Sequence, residues 1–223
     1  MKRPILLGHA EIPGGDSVLK LFQGKDDCSI VLSGRGELMS TRRHASEDAL
    51  GTLPCQMLRQ TDSVSVLVGG LGMGFTLAAV LSATGANSRV VVAELVPEVV
   101  DWNLGPLGNY SGYPLKDARV SVFQGDVSEL LQRGEEHFDV IVLDVDNGPE
   151  ALSSSGNDWL YSIAGIDSAR DCLNPHGVLA YWSATTDQHF TKKLQQCGLQ
   201  VSEKSVFAHG DKGAKHTIWL ARL

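Results

Sequence analysis

Five short runs dominated by Val, Ile and Leu recur along the middle of the chain, at residues 64–68, 89–94, 119–123, 138–143 and 178–182. The runs at 64–68 and 138–143 are apolar at almost every position, which marks strands covered on both faces, because a half-exposed strand would alternate with polar residues. Segments with helical character lie between the runs, at 76–81, 97–103, 127–133 and 157–173, and a further one ends near Gln196. Strand and helix alternating in this way predict a parallel sheet sandwiched by helices. The last two β-type runs, 200–207 and 216–221, are joined by His209-Gly-Asp-Lys-Gly-Ala-Lys215, too short for a crossover helix, so they should pair antiparallel.

The first 45 residues read differently. Ser17-Val-Leu-Lys-Leu-Phe22, Ser29-Ile-Val-Leu32 and Glu37-Leu-Met-Ser-Thr41 are short β runs separated by turn residues at 24–27 and 34–37. Such a unit is too small to stand alone and should pack on the rest of the chain or on another copy of itself. Ser46-Glu-Asp then opens a helix running to about Arg59, with a capping hydroxyl and two acids that complement the helix dipole. The expected organisation is a small β unit over 1–45, followed by an α/β domain over 46–223.

Candidate chemistry gathers where strands end. After the 64–68 run the chain reads Gly69-Gly-Leu-Gly-Met-Gly74. Gly70, Gly72 and Gly74 allow a sharp turn and close approach to a ligand, though a tight strand-to-helix turn also needs glycine for geometric reasons alone. Glu94 ends the next strand, about twenty residues on, where a ribose-binding acid belongs. It also precedes a helix opened by Pro97, which leaves a capping role open. Asp126 ends the third strand, placed either to meet a purine amine or to cap the following helix. The fourth strand ends in Asp144-Val-Asp-Asn-Gly-Pro149, the densest polar cluster in the chain. Turn chemistry favours the same residue types, but position singles out Asp144, and after it Asp146 and Asn147.

Composition narrows the class. A net charge of −7 lacks the basic footprint of a general nucleic-acid binder, and the one tight basic cluster is Arg42-Arg43-His44. The four cysteines are far apart, without metal spacing, and read as reduced core thiols. The seven histidines are scattered, so no metal is expected, and His216 reads as a hydrogen-bonded packing residue. No leader pattern opens the chain and no apolar run approaches the ~20 residues needed to cross a bilayer, so a cytoplasmic, soluble protein is expected.

Gly70-x-Gly-x-Gly74, Glu94, Gly125-Asp126 and Asp144, in this order on successive strand ends, resemble the class I S-adenosylmethionine-dependent methyltransferase fold, a Rossmann-like α/β architecture. The β-rich start, Leu-Asp-Val-Asp-Asn-Gly-Pro (143–149) and Lys-Gly-Ala-x-His-Thr-Ile-Trp-Leu (212–220) resemble its spermidine-synthase-like branch. The resemblance implies that Gly70, Gly72 and Gly74 approach the amino-acid end of S-adenosylmethionine or its decarboxylated form. It implies that Glu94 holds the ribose, that Asp126 and Val127 flank the adenine, and that Asp144 binds the cofactor or helps deprotonate an acceptor, with Asp146 and Asn147 on the acceptor side. It also implies a homodimer through the β unit.

The sequence departs from the synthase pattern in two places: the glycine loop carries no Asp, and Asp48-Ala-Leu-Gly-Thr-Leu-Pro54 stands where synthases carry Tyr-His-Glu. Free loop N–H groups would welcome the carboxylate of intact S-adenosylmethionine. The leading expectation is therefore methyl transfer to a small acceptor. Aminopropyl transfer from the decarboxylated cofactor, or nucleoside binding without catalysis, are the alternatives.

Overall fold

The computed structural model describes residues 3–15, 17–144, 157–209 and 212–223. Two sheets organise it. The first is a four-stranded antiparallel sheet, β1 (Ile5–Glu11), β2 (Val18–Gln23), β3 (Cys28–Leu32) and β4 (Gly36–Ser40), in sequential order. The second has seven strands, β5 (Ser65–Gly69), β6 (Arg89–Glu94), β7 (Val120–Gln124), β8 (Phe138–Leu143), β9 (Leu173–Ser183), β10 (Gln200–His209) and β11 (Lys212–Arg222), in the order β10-β11-β9-β8-β5-β6-β7. Strands β5 to β9 are parallel and the β10–β11 hairpin adds antiparallel at one edge, as the alternation of strand and helix and the short final loop predict.

The two-residue period of a strand divides the apolar side chains between two faces. Val66, Val68, Val90, Val92, Val140 and Val142 share one buried cluster with Leu50 of α1 (Ala45–Gln56) and Leu77 of α2 (Phe75–Ala83). Leu67, Val91, Ile141 and Leu143 face the other way, onto α5 (Val127–Arg133), α6 (Ile163–Asp171) and α7 (Gln188–Gln196). Rings reinforce that second face: Phe190 meets Tyr181 at 4.9 Å and Trp219 at 5.0 Å between centroids, both edge-on. Leu19, Leu21, Ile30 and Leu32 of the N-terminal sheet belong to the first cluster, so the β unit shares its core with the α/β part rather than holding one of its own.

Three local differences from the sequence reading have physical causes. Strand β1 escapes periodicity because its residues are exposed at nearly every position, leaving no alternation to read. The helix expected over 157–173 is shorter: residues Asn157–Tyr161 form a 3₁₀ turn, and the Ser162 hydroxyl accepts from Gly165 N at 3.2 Å to start α6 only there. Asn174-Pro-His-Gly177, expected as a turn before β9, lies inside it as an outward bulge. Phe138 and Val140 of β8 pair with Leu173 and Val178, so a two-residue step on β8 faces a five-residue step on β9. His176, at φ 69°, takes up the bend.

The loop expected after α3 (Pro97–Leu104) instead holds a single turn, α4 (Gly108–Ser111), and a 3₁₀ turn at Pro114–Lys116. All four cysteines are buried thiols. No described helix is long and apolar enough to cross a membrane.

Candidate active site

The carboxyl ends of β5, β6, β7 and β8 meet at one rim, and the glycine loop forms its centre. Gly70, Gly72 and Gly74 have φ of 89°, 51° and 82°, the left-handed region that other residues enter at a cost. Gly74 serves packing: a Cβ there would sit 2.7 Å from Asn103 Oδ1. It caps α2 and does not border the cavity described below.

The loop is held from beneath by Glu94. Its carboxylate accepts from Leu71 N at 3.0 Å and Val96 N at 2.9 Å, and draws the Gly72 N–H as well. Burial pushes this carboxyl above the ordinary range, against the pull of those amides. Gly70 N donates to Ala93 O at 2.9 Å and Gly74 N to Leu71 O at 2.8 Å. The amides of Gly70, Leu71, Gly72 and Gly74 are therefore all directed at partners within the protein. These bonds occupy amides that the sequence reading expected to be free for a carboxylate.

Asp126 caps α5, accepting from Ser128 N at 2.8 Å. Asp144 closes β8: its amide donates to Gly69 O at 2.8 Å, and its Oδ2 accepts from the Thr76 hydroxyl of α2 at 2.6 Å.

These residues surround a cavity of two joined lobes. The larger, about 820 Å³ with its open mouth, is bordered by Gly70, Gly72, Glu94, Asp126, Val127 and Asp144, with Ile12, Leu19 and Ile30 of the N-terminal sheet opposite. The smaller lobe is bordered by Glu47, Phe75, Thr76, Asp144 and Trp182. Leu38 and Met39 of β4, Gly72 and Asp144 border both, so the lobes meet at the glycine loop.

Of the residues singled out in the sequence, Gly70, Gly72, Glu94, Asp126, Val127 and Asp144 thus share one cavity, Gly74 stands behind it, and Asp146 and Asn147 lie outside the described residues.

Glu47 is the residue sequence reasoning missed. It reads as one of two acids favouring a helix start, and Asp48 beside it looks identical in that role. Asp48 instead pairs with His44 at 2.7 Å, and His44 stacks on Phe75 at 4.0 Å between centroids. The Ser46 hydroxyl donates to Glu47 Oε2 at 2.5 Å, and His216 Nδ1 lies 2.9 Å from the same hydroxyl. Burial first, then the Asp144 charge, push the Glu47 carboxyl from 4.5 up to about 7. Burial, aided by Arg43, lowers His216, whose ring stands edge-on to Trp182 at 4.7 Å. The basic cluster is taken up by neighbours: Arg42 pairs with Asp27 at 3.0 Å and Arg43 with Glu37. Among the described residues no group of three His, Cys, Asp or Glu side chains could hold a metal ion.

Comparison with known proteins gives the same picture. A family model described as the spermine/spermidine synthase domain matches residues 44–211. A crystal structure of spermidine synthase in complex with the transition state analogue AdoDATO superposes with a TM-score of 0.73 at 16% identity, over 97% of this chain and 71% of that one. Spermidine synthase from Thermotoga maritima gives 0.73 at 15% identity, over 97% and 72%. A precorrin-6y C5,15-methyltransferase from Geobacter metallireducens gives 0.56 at 16% identity, over 76% and 85%, which shows the wider methyltransferase-like fold. No curated protein matches the chain in sequence at a significant level.

Proposed function

Since the chain belongs to the spermine/spermidine synthase domain family, and is a transferase of that kind, we propose that it moves an aminopropyl group from decarboxylated S-adenosylmethionine to a small amine. The observation that carries this reading is the smaller lobe, an apolar slot of Met39, Phe75 and Trp182 into which two carboxylates, Glu47 and Asp144, are set. A primary amine, cationic before it reacts, suits such a slot, since each charge-assisted hydrogen bond to a carboxylate is worth roughly 1.5–3 kcal/mol. A donor bearing its own carboxylate suits it poorly. The loop amides of Gly70, Leu71 and Gly74, which could have received that carboxylate, are already bonded, and the nearby charges are negative. Methyl transfer from intact S-adenosylmethionine, the leading expectation from the sequence, loses its main support on both counts.

In this reading the larger lobe takes the nucleoside. Glu94 faces the ribose, Asp126 and Val127 flank the adenine, and Gly70 and Gly72 let the sulfonium-bearing chain pass close to the backbone. Asp144, at the junction, faces both the donor chain and the acceptor amine, with Asp146 and Asn147 assigned to the acceptor side. The amine nitrogen forms a bond to the methylene carbon on sulfur, the carbon–sulfur bond breaks with its electron pair going to sulfur, and the amine gives up a proton. The protein contributes alignment in a site shielded from water, and a group to take that proton. A homodimer through the N-terminal sheet rests on the exposed Ile5 and Leu6 of its edge strand β1; light scattering on the purified protein tests it.

The test of the chemistry is product identity. Incubated with decarboxylated S-adenosylmethionine and a panel of diamines and monoamines, the protein should release methylthioadenosine in step with an aminopropylated amine. Release of S-adenosylhomocysteine from the intact cofactor, with no methylthioadenosine from the decarboxylated one, refutes the reading in favour of methyl transfer. Tight binding of methylthioadenosine with no turnover of any amine refutes it in favour of a nucleoside-binding role.

A further inference from the structure

We propose that Glu47 is the proton acceptor of the transfer, held in place by a chain of hydrogen bonds from Ser46 and His216, while Asp144 orients the acceptor amine. This rests on the aminopropyl-transfer reading and adds to it a residue that no motif in the sequence marks.

The division of labour follows from how the two carboxylates are held. Asp144 stands where the lobes meet and has Oδ2 engaged by the Thr76 hydroxyl at 2.6 Å. It therefore touches donor and acceptor space alike, which suits orientation. Glu47 borders only the acceptor lobe, away from the nucleoside. Its Oε2 receives the Ser46 hydroxyl proton, so the Ser46 oxygen is left to accept, and His216 Nδ1 at 2.9 Å is the donor that suits it. The chain thus runs from an imidazole N–H on β11, through a hydroxyl on α1, to a carboxylate facing the slot. Trp182, edge-on to the His216 ring, borders the same lobe, and its buried indole N–H has no partner among the described residues.

A base must be unprotonated before the amine gives up its proton and must keep that proton afterwards, which favours a carboxyl balanced near neutral pH. Glu47, pushed up to about 7 by burial and by Asp144, meets that condition. The charged groups acting on it are Asp144 at the end of β8 and Asp48 on its own helix, both raising it. His216 reaches it from β11 through Ser46, and Arg43 acts in turn on His216. During transfer the N–H bond of the amine breaks, its proton passes to Glu47, and its electron pair stays on nitrogen as the new carbon–nitrogen bond forms. No other reactant is required.

The experiment is a kcat–pH series on the full chain, with decarboxylated S-adenosylmethionine and whichever amine turns over, following methylthioadenosine. E47Q should lower kcat at least a hundredfold while methylthioadenosine binding, followed by calorimetry, stays within threefold, which also shows that the variant is folded. S46A, which removes a donor favouring the charged carboxylate, should remain active with its acidic limb moved up by at least half a pH unit. H216A should move the limb the same way, and H216N, whose amide can reproduce the Nδ1 donor, should return it. Methylthioadenosine formed by the wild type and by E47Q at similar rates overturns the assignment of Glu47 and leaves the transfer reading standing, as does an unmoved limb in S46A. Absence of methylthioadenosine from the wild type itself overturns both.

Discussion

A base kept in a dry slot should weaken the fold that holds it, and Glu47→Gln measures by how much. The folded protein keeps the Glu47 carboxyl protonated up to about pH 7, whereas the ordinary value for the unfolded chain is 4.5. Between those limits the folded state binds more protons than the unfolded one, so stability falls as pH rises. The contribution is fully present below pH 4.5, is lost progressively through the window, and is gone above about pH 7. A shift of about 2.5 pH units corresponds to roughly 3.4 kcal/mol at ~1.36 kcal/mol per unit.

Water reaching the partly exposed side chain lowers this to about 1–3 kcal/mol. Gln has nearly the same shape, stays neutral at every pH and can still accept from Ser46. The variant should therefore match the wild type at pH 4.5 and exceed it by about 1–3 kcal/mol at pH 8. For a chain of this size that is roughly 2–12 °C in Tm. Thermal unfolding followed by circular dichroism from pH 4.5 to 8.5 gives the comparison. An offset that does not change with pH, or a less stable variant at pH 8, refutes the reasoning.

Other substitutions probe the framework. Gly51 of α1 lies against α2 so closely that a Cβ would sit 2.5 Å from Thr76 O and 2.7 Å from Ala79 Cβ; Gly51→Ala should cost about 1–3 kcal/mol by overpacking, read from the urea midpoint. Trp219 is fully buried and donates to Thr191 Oγ1 at 2.8 Å, so Trp219→Ala should cost about 3–5 kcal/mol, with Trp219→Phe losing far less in the same melt. Asp126→Ala should cost about 0.5–2 kcal/mol through the lost cap and also weaken methylthioadenosine binding. Asp126→Ser should restore the cap alone, and recovery of nucleoside affinity with it would remove Asp126 from the adenine site.

The sequence carried much of the sheet because both-face burial leaves a local trace. Runs such as Val66-Leu-Val68 and Val140-Ile-Val-Leu143 are buried whichever way each side chain points, and strand ends follow from where such runs stop. The cavity wall formed by Gly70, Gly72, Glu94, Asp126 and Asp144 was legible for the same reason: each sits at a strand end, and parallel strands deliver their ends to one edge. Hydrogen bonding of the loop was not legible. Whether the Leu71 amide is free depends on Glu94, 23 residues away, and no local pattern records that pairing.

Glu47 was hidden more thoroughly, since a first-turn acid is expected on helical grounds alone. Its proximity to Asp144 and its link to His216, 170 residues from Ser46, arise only when α1 packs over the sheet. The bulge at 174–177 shows the converse: turn chemistry was read correctly, but its placement inside β9 depends on pairing with β8.

Ile12, Leu19, Ile30, Leu38 and Met39, all contributed by the first forty residues, form the wall facing the strand ends. Every polar candidate found in the sequence belongs to the later portion, yet that portion alone would present them on an open ledge washed by solvent. Attractions between a cation and a carboxylate weaken severalfold when water fills the space between them. A catalyst so divided cannot be shortened from its front end without becoming, at most, a weak nucleoside sponge, because the stretch with no chemistry of its own is the one that keeps the reactants dry.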